Sequence, residues 1–350
     1  MTIWKFLGCT RAFAVECLSV CLNCCFKRKN MAEEHWSQIE EASKTAWKFR
    51  FMLWVTIHLP RKLVELIVAI VVFFFYLGAA PVRKRSRLFL EHVSKMKGKN
   101  IPPFAVYRHI LAFALSMIEK IRGWAGKMSL SELETQNDDI DDLVNLLDSG
   151  KGAFILCSHL GNIEAMRSLT GYRKEHTKRN FQVFPVVDFS GTKCFNALLR
   201  ELNPELMTNS FDANSIGVDT AISMREKIQA GNLVAIAGDR TSANSQNRFI
   251  PLNFLGDAAE FPEGSFALAH ILKAPVYFIF AFRKKDLDIT SPYEFHIIRS
   301  KTVLGGKRFE QKQQMANLAA EYASHLEKFC LEHPYQWYNF YNFWQKGESM

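Results

Sequence analysis

From residue 150 onward, short apolar runs alternate with stretches of helical period. Ala153–Ser158, Gln182–Asp188, Leu233–Gly238, Val276–Arg283 and Tyr293–Ser300 read as buried strands. Helical periodicity falls between and after them, over 162–176, 191–202, 218–230, 263–273 and 309–333. Strands separated by helices predict an α/β fold, a mixed and mostly parallel sheet flanked by helices. Upstream, Phe104, Tyr107, Ile110, Leu111, Ala114, Leu115, Ile118 and Ile121 fit one face of a helix over 103–125. The acidic stretch 131–148 reads as a solvated linker leading into a short helix.

One apolar run is of another kind. Leu66–Val82 carries no charge for seventeen residues, with Arg61 and Lys62 before it and Arg83, Lys84, Arg85 and Arg87 after it. A full span needs about 20 apolar residues, so the run is short for crossing. Cations on both sides suit an N-terminal membrane-associated helix that dips into one leaflet of an anionic surface. A buried core helix and a single span are the alternatives. The chain divides into a poorly ordered extension (1–30), a membrane-anchoring helical segment (31–100) and a large C-terminal domain (101–350).

Composition narrows the partners. The net charge of +9 points to an anionic surface or an acidic carrier protein. Nucleic acid ranks last, because no zinc-finger spacing or RNA-binding aromatic signature is present. The 29 phenylalanines fit an apolar cavity, membrane contact or a Phe-rich core. Five of the eight cysteines lie in the first 25 residues, which is no secreted disulfide framework, and the lone Cys21–Cys24 pair lacks the second pair a zinc site needs.

Candidate chemistry sits at strand exits. HLGNIE (His159–Glu164) follows the first strand, and a histidine with a carboxylate five positions on can act as an oriented general base. Gly161 permits an unusual backbone there, and Asn162 suits a helix N-cap. LVAIAGDRTS places Asp239 and Arg240 at a second strand end, near His159 if the two strands are neighbours. Arg240 can hold a phosphate or a carbonyl oxygen with Asp239 orienting it; a plain surface pair is the bland alternative. After the loop RFIPLNFLGDAAE comes FPEGS, where Glu263 and Gly264 open a helix whose amides can bind an anion. WYNFYNFW (Trp337–Trp344) can wall an acyl pocket, lie at a lipid interface or strap the core. The chain has no HExxH, GxSxG, GxxxxGK[ST] or GxGxxG, which argues against a zinc protease, serine hydrolase, P-loop NTPase or dinucleotide enzyme.

The order HLGNIE, GDR, PLNFLGDAAEFPEG and PVYFIFAFR resembles the lysophospholipid acyltransferase superfamily, nearest to the bacterial lipid A biosynthesis (late) acyltransferases. HWSQIEE at His35 and the QWYNFYNFW ending resemble a bacterial subgroup of predicted acyltransferases. The resemblance covers roughly residues 35–345. It implies catalytic His159 with Glu164 as partner, an acyl-carrier-protein or acyl-CoA thioester donor, a lipid acceptor, a membrane anchor at the cytoplasmic face of the inner membrane, and neither metal nor organic cofactor. FPEGS lacks the Thr-Arg that follows Gly in the glycerolipid branch, which points away from a glycerol-phosphate acceptor. A thioesterase or lipid hydrolase using the same pair, and a non-catalytic lipid-binding protein, are the rival readings.

Overall fold

The computed structural model describes residues 54–56, 58–124, 128, 130–136, 139–162, 177–188, 209–240, 248–341, 343 and 344. The predicted helix over 191–202 lies outside them, as do the helix predicted over 162–176, beyond Asn162, and the 1–30 extension. Among the described residues the helices are α1 (Arg61–Gly78), α2 (Ala80–Lys97), α3 (Ala105–Trp124), α4 (Ile140–Asp148), α5 (Val218–Gln229), α6 (Glu263–Leu272) and α7 (Gln311–Glu332). The strands are β1 (Leu133–Thr135), β2 (Ala153–Gly161), β3 (Val183–Val187), β4 (Phe211–Asp212), β5 (Leu233–Ala237), β6 (Phe249–Phe254), β7 (Asp257–Pro262), β8 (Val276–Arg283) and β9 (Tyr293–Arg299).

Seven strands form one sheet in the order β1-β9-β8-β2-β5-β3-β4. Only β8 and β9 pair antiparallel; the rest are parallel, as α/β alternation requires. The two-residue period divides the strands between two cores. Phe154, Leu156, Val234, Phe278, Phe280 and Phe282 face a large cluster shared with α1, α2, α3, α6 and α7. Ala153, Ile155, Cys157, Tyr277, Ile279 and Ala281 face a smaller one capped by Leu143 and Leu147 of α4. Much of the phenylalanine content is therefore core.

Two regions correct the sequence reading. The acidic stretch is not simply a linker: Leu133–Thr135 is an edge strand on β9. Its carboxylates pin neighbours, with Asp142 binding Arg299 at 3.0 Å and Glu134 binding Lys284 at 2.8 Å. RFIPLNFLGDAAE is no loop but largely the β6–β7 hairpin, turned at Leu255 and Gly256 with φ of 52° and 83°. Two successive positive φ values match the twist of a hairpin. Phe104 also departs from its predicted place. It precedes α3 at φ 59° and is 73% exposed.

The uncharged run forms α1 and then breaks. Ala79 is non-helical, and Pro81 in the first turn of α2 lacks an N–H to continue the ladder. The two helices meet at 100°. Arg83 reaches back to donate to the carbonyls of Tyr76 and Leu77 at the end of α1. Val64, Val68, Val71 and Val72 are buried, while Leu66, Ile70, Phe73, Phe74 and Leu77 are about half exposed or more. Among the described residues no single helix is long and apolar enough to cross a membrane.

Candidate active site

Strand β2 runs in register with β8 as far as Cys157 opposite Ile279, and resumes with Gly161 opposite Ala281. Four steps on β2 thus match two on β8. The surplus residues arch out as a bulge that carries His159 off the sheet at its carboxyl edge. Gly161 makes the arch possible. Its φ is +71°, and an added Cβ would lie 2.1 Å from the Ala281 carbonyl oxygen. The chain re-enters the sheet there, with the Asn162 amide donating to Ala281 at 2.8 Å.

The parallel pairing of β2 and β5 brings the second strand exit alongside. Gly238 N–H donates to Cys157 O at 2.8 Å, and the chain then turns Asp239 under the bulge. Both carboxylate oxygens of Asp239 are engaged. Oδ1 lies 2.8 Å from His159 Nδ1, and Oδ2 accepts from the His159 amide at 2.8 Å and from Trp337 Nε1 at 2.9 Å. Asp239 is 1% exposed, whereas the His159 side chain is 27% exposed.

This geometry fixes a protonation state. A carboxylate only accepts, so Nδ1 carries the ring proton and Nε2 keeps its lone pair. Burial, together with the nearby Arg240 cation, lowers the His159 pKa to about 4 against the opposing pull of Asp239. For Asp239, burial works against the charge; His159, Arg240 and the Trp337 hydrogen bond outweigh it and lower the pKa. At neutral pH the pair is a neutral imidazole on an ionised carboxylate, an arrangement able to serve as a general base with an oriented ring.

Of the residues singled out in the sequence, His159, Asp239 and Arg240 come together. The Arg240 guanidinium donates to the Tyr338 carbonyl. Glu263 and Gly264 open α6, and Ser265 Oγ ties that end to Ala237 O on β5 at 2.9 Å, two residues before Asp239. The Glu263 amide is committed to Arg248 O at 3.0 Å. Glu164 lies outside the described residues. Sequence reasoning gave the orienting carboxylate to Glu164 and assigned Asp239 to Arg240; in the structure Asp239 itself occupies Nδ1 of His159. The aromatic ending is the strap foreseen as one of three readings, with Trp337, Tyr338, Phe340 and Phe343 buried. Trp337 as a partner of Asp239 was not foreseen, and no spacing rule reveals a contact across 98 positions.

A deep His–Asp pair at the carboxyl edge of parallel strands is a usual place for chemistry in an open α/β sheet. No curated protein matches the chain. Residues 37–346 match the family model described as bacterial lipid A biosynthesis acyltransferase. That match spans nearly the whole chain and takes in His159, Asp239, Arg240, Gly264 and the strap. The chain belongs to the bacterial lipid A biosynthesis acyltransferase family and is an acyltransferase, moving an acyl group from a donor to a lipid.

Proposed function

We propose that the protein is a membrane-bound O-acyltransferase that moves a fatty acyl chain from a thioester, on acyl carrier protein or CoA, to a hydroxyl of a lipid or lipid-like acceptor. The observation that carries this reading is the His159–Asp239 pair with Nε2 as its proton acceptor. In the proposed step Nε2 takes the acceptor hydroxyl proton as the oxygen attacks the thioester carbonyl. The tetrahedral oxyanion then collapses, the C–S bond breaks, and the imidazolium returns the proton to the departing sulfur. Asp239 offsets the charge on the ring while it is protonated. Arg240 and the backbone near Gly264 are assigned to the oxyanion or to an anionic head group, with Glu263 at the rim. Glu164, five positions after His159, is assigned to the same site.

The half-exposed stripe of α1 supports attachment to a membrane. Leu66, Ile70, Phe73, Phe74 and Leu77 form an apolar face larger than scattered surface residues account for, and Arg83, Lys84, Arg85 and Arg87 follow it in the chain, with Lys84 and Arg87 exposed. Since the opposite face of α1 is core, we assign the stripe to one leaflet, at the cytoplasmic face of the inner membrane. The same cations suit an acidic carrier protein.

The deciding experiment presents purified protein with an acyl-carrier-protein or CoA thioester and follows both products by mass spectrometry. Acyl transfer that requires added lipid acceptor supports the reading. Release of free fatty acid at the same rate with and without acceptor would make the protein a hydrolase instead.

A further inference from the structure

The segment from Gln336 to Tyr341 does more than cover the core. Gln336 O accepts from the Gly161 amide at 2.7 Å, and the Tyr338 amide donates to His159 O at 3.2 Å. Trp337 forms an isolated bridge with Leu160 between them. The same segment reaches the other strand exit. Tyr341 OH donates to Asp239 O at 2.8 Å, and Tyr338 O receives Arg240. The arch bearing His159 and the turn bearing Asp239 are thus held by one strand of chain that belongs to neither.

We propose that Trp337 is a positioning residue for the reaction, setting through its indole N–H how Asp239 presents its carboxylate to His159. Oδ2 is shared between the indole and the His159 amide, which leaves Oδ1 directed at Nδ1. The indole is itself held on both sides. Its ring packs edge-on against Phe89, Phe254 and Phe343, at 5.0, 5.3 and 5.3 Å between centroids. Its backbone carbonyl accepts from His109 Nε2 at 2.8 Å, and His109 Nδ1 accepts from Ser86 Oγ, also at 2.8 Å. A line of donors and acceptors therefore runs from Ser86 on α2 through His109 on α3 and Trp337 to Asp239 and His159. The inference rests on the proposed general-base role of His159.

The groups around the carboxylate are His159 on β2, Arg240 beside it, Tyr341 and Trp337 on the strap, and Tyr322 and Cys330 on α7; Lys120 on α3 faces His159. Burial holds the tyrosines and the thiol uncharged through the acid range. Of these groups His159 is left to titrate there, and His109, bonded to the Trp337 backbone, titrates in the same range.

The test is Trp337→Phe in the full chain, which keeps the ring contacts and removes the N–H. Freed of that donor, the carboxylate acts more strongly on the ring and His159 protonates more readily. The expected result is kcat lowered about tenfold or more, KM for the thioester unchanged, and the acid limb of the kcat profile moved to higher pH. Phe254→Leu disturbs the same packing and should leave the acid limb in place. A Trp337→Phe enzyme with wild-type kcat and acid limb, or one whose loss only parallels its loss of melting temperature at an unmoved limb, overturns the proposal. Should Trp337→Phe fail to fold, the wild-type protein decides. One of its seven indole resonances should shift with the midpoint of the acid limb and stay flat in His159→Ala. If none does, or if the shift persists in His159→Ala and so follows His109, the proposal is wrong. Full transfer by His159→Ala would instead remove the functional reading on which it rests.

Discussion

Among the described residues two carboxylates, Glu119 and Asp239, are almost wholly buried, and they have opposite fates. Glu119 on α3 is 0% exposed and closed in on all sides. It pairs with the equally buried Arg283 at 2.5 Å, accepts from Tyr293 OH and meets Arg61 at 3.4 Å. Arg283 in turn donates to the carbonyls of Ala112 and Asp286. The Arg283 guanidinium is buried at a cost, yet Glu119 and the neighbouring tyrosines hold it charged. Asp239 is equally deep, but its main partner is a histidine whose ring is part-exposed. A strong permanent cation quenches the first carboxylate. A titratable ring that reaches the surface leaves the second able to influence a proton outside. Burial alone therefore marks neither as functional; the partner's chemistry and access to the surface do.

The largest expected effects break the open pair. His159→Ala and Asp239→Asn should each lower transfer, for His159→Ala by about 10²–10⁴-fold, the usual worth of a general base. Both variants should remain folded by circular dichroism. The double variant should cost hardly more than His159→Ala alone, because the residues act as a unit. Glu164→Ala in the same assay locates that carboxylate: losses that multiply with Asp239→Asn mean separate work, such as acceptor binding, and non-multiplying losses mean a shared role at the ring.

Breaking the closed pair should show the reverse pattern. Glu119→Gln strands a buried guanidinium and should destabilise by about 3–5 kcal/mol in denaturant titration. The fraction that folds should turn over at close to the wild-type kcat. A folded Glu119→Gln enzyme without activity would erase the contrast between the two carboxylates.

Acid sharpens the contrast further. Burial lowers the His109 pKa to about 4, and His159 falls to a similar value. An unfolded histidine titrates near 6.5. With the folded value below the unfolded one, the unfolded chain binds the extra proton, so this stability is fully present above about pH 6.5 and drains away as pH falls toward 4. His109 carries most of it, being sealed, while the exposed edge of His159 discounts its share. Urea midpoints from pH 7 to pH 4 should fall, and His109→Gln should flatten the decline. The smallest effect belongs to a surface pair: Glu134→Ala removes an exposed contact to Lys284 and should leave melting and activity unchanged.

How much of this was legible beforehand follows from what each element depends on. Strand β8 matches its predicted span, Val276–Arg283, because every residue in it is buried and all but the closing Arg283 are apolar or aromatic. The nearness of His159 and Asp239 followed from two strand exits and one assumption of adjacency, which the β2–β5 pairing supplies. What escaped was set by distant chain. Leu133–Thr135 becomes a strand only because β9 offers an edge, and nothing in three residues announces it. Glu119 and Arg283 are 164 positions apart, each unremarkable among its neighbours. The carboxylate at Nδ1 lies 80 positions from His159, a separation that sequence conceals, whereas it displays Glu164 five residues away.

The clasp by residues 336–341 also has a consequence in time. A chain is made from its amino end, and Asp239 leaves the ribosome 98 residues before Trp337. At about 5–20 residues per second, roughly 5–20 seconds of synthesis separate them. Through that interval the nascent polypeptide owns both members of the proposed base but lacks the piece that joins them. Under the proposed function, competence to activate a hydroxyl thus arrives late and at once, after the sheet, the hairpin and α7 have been translated. A product broken off before residue 336 would carry His159 and Asp239 in full and still lack the clasp that holds them together.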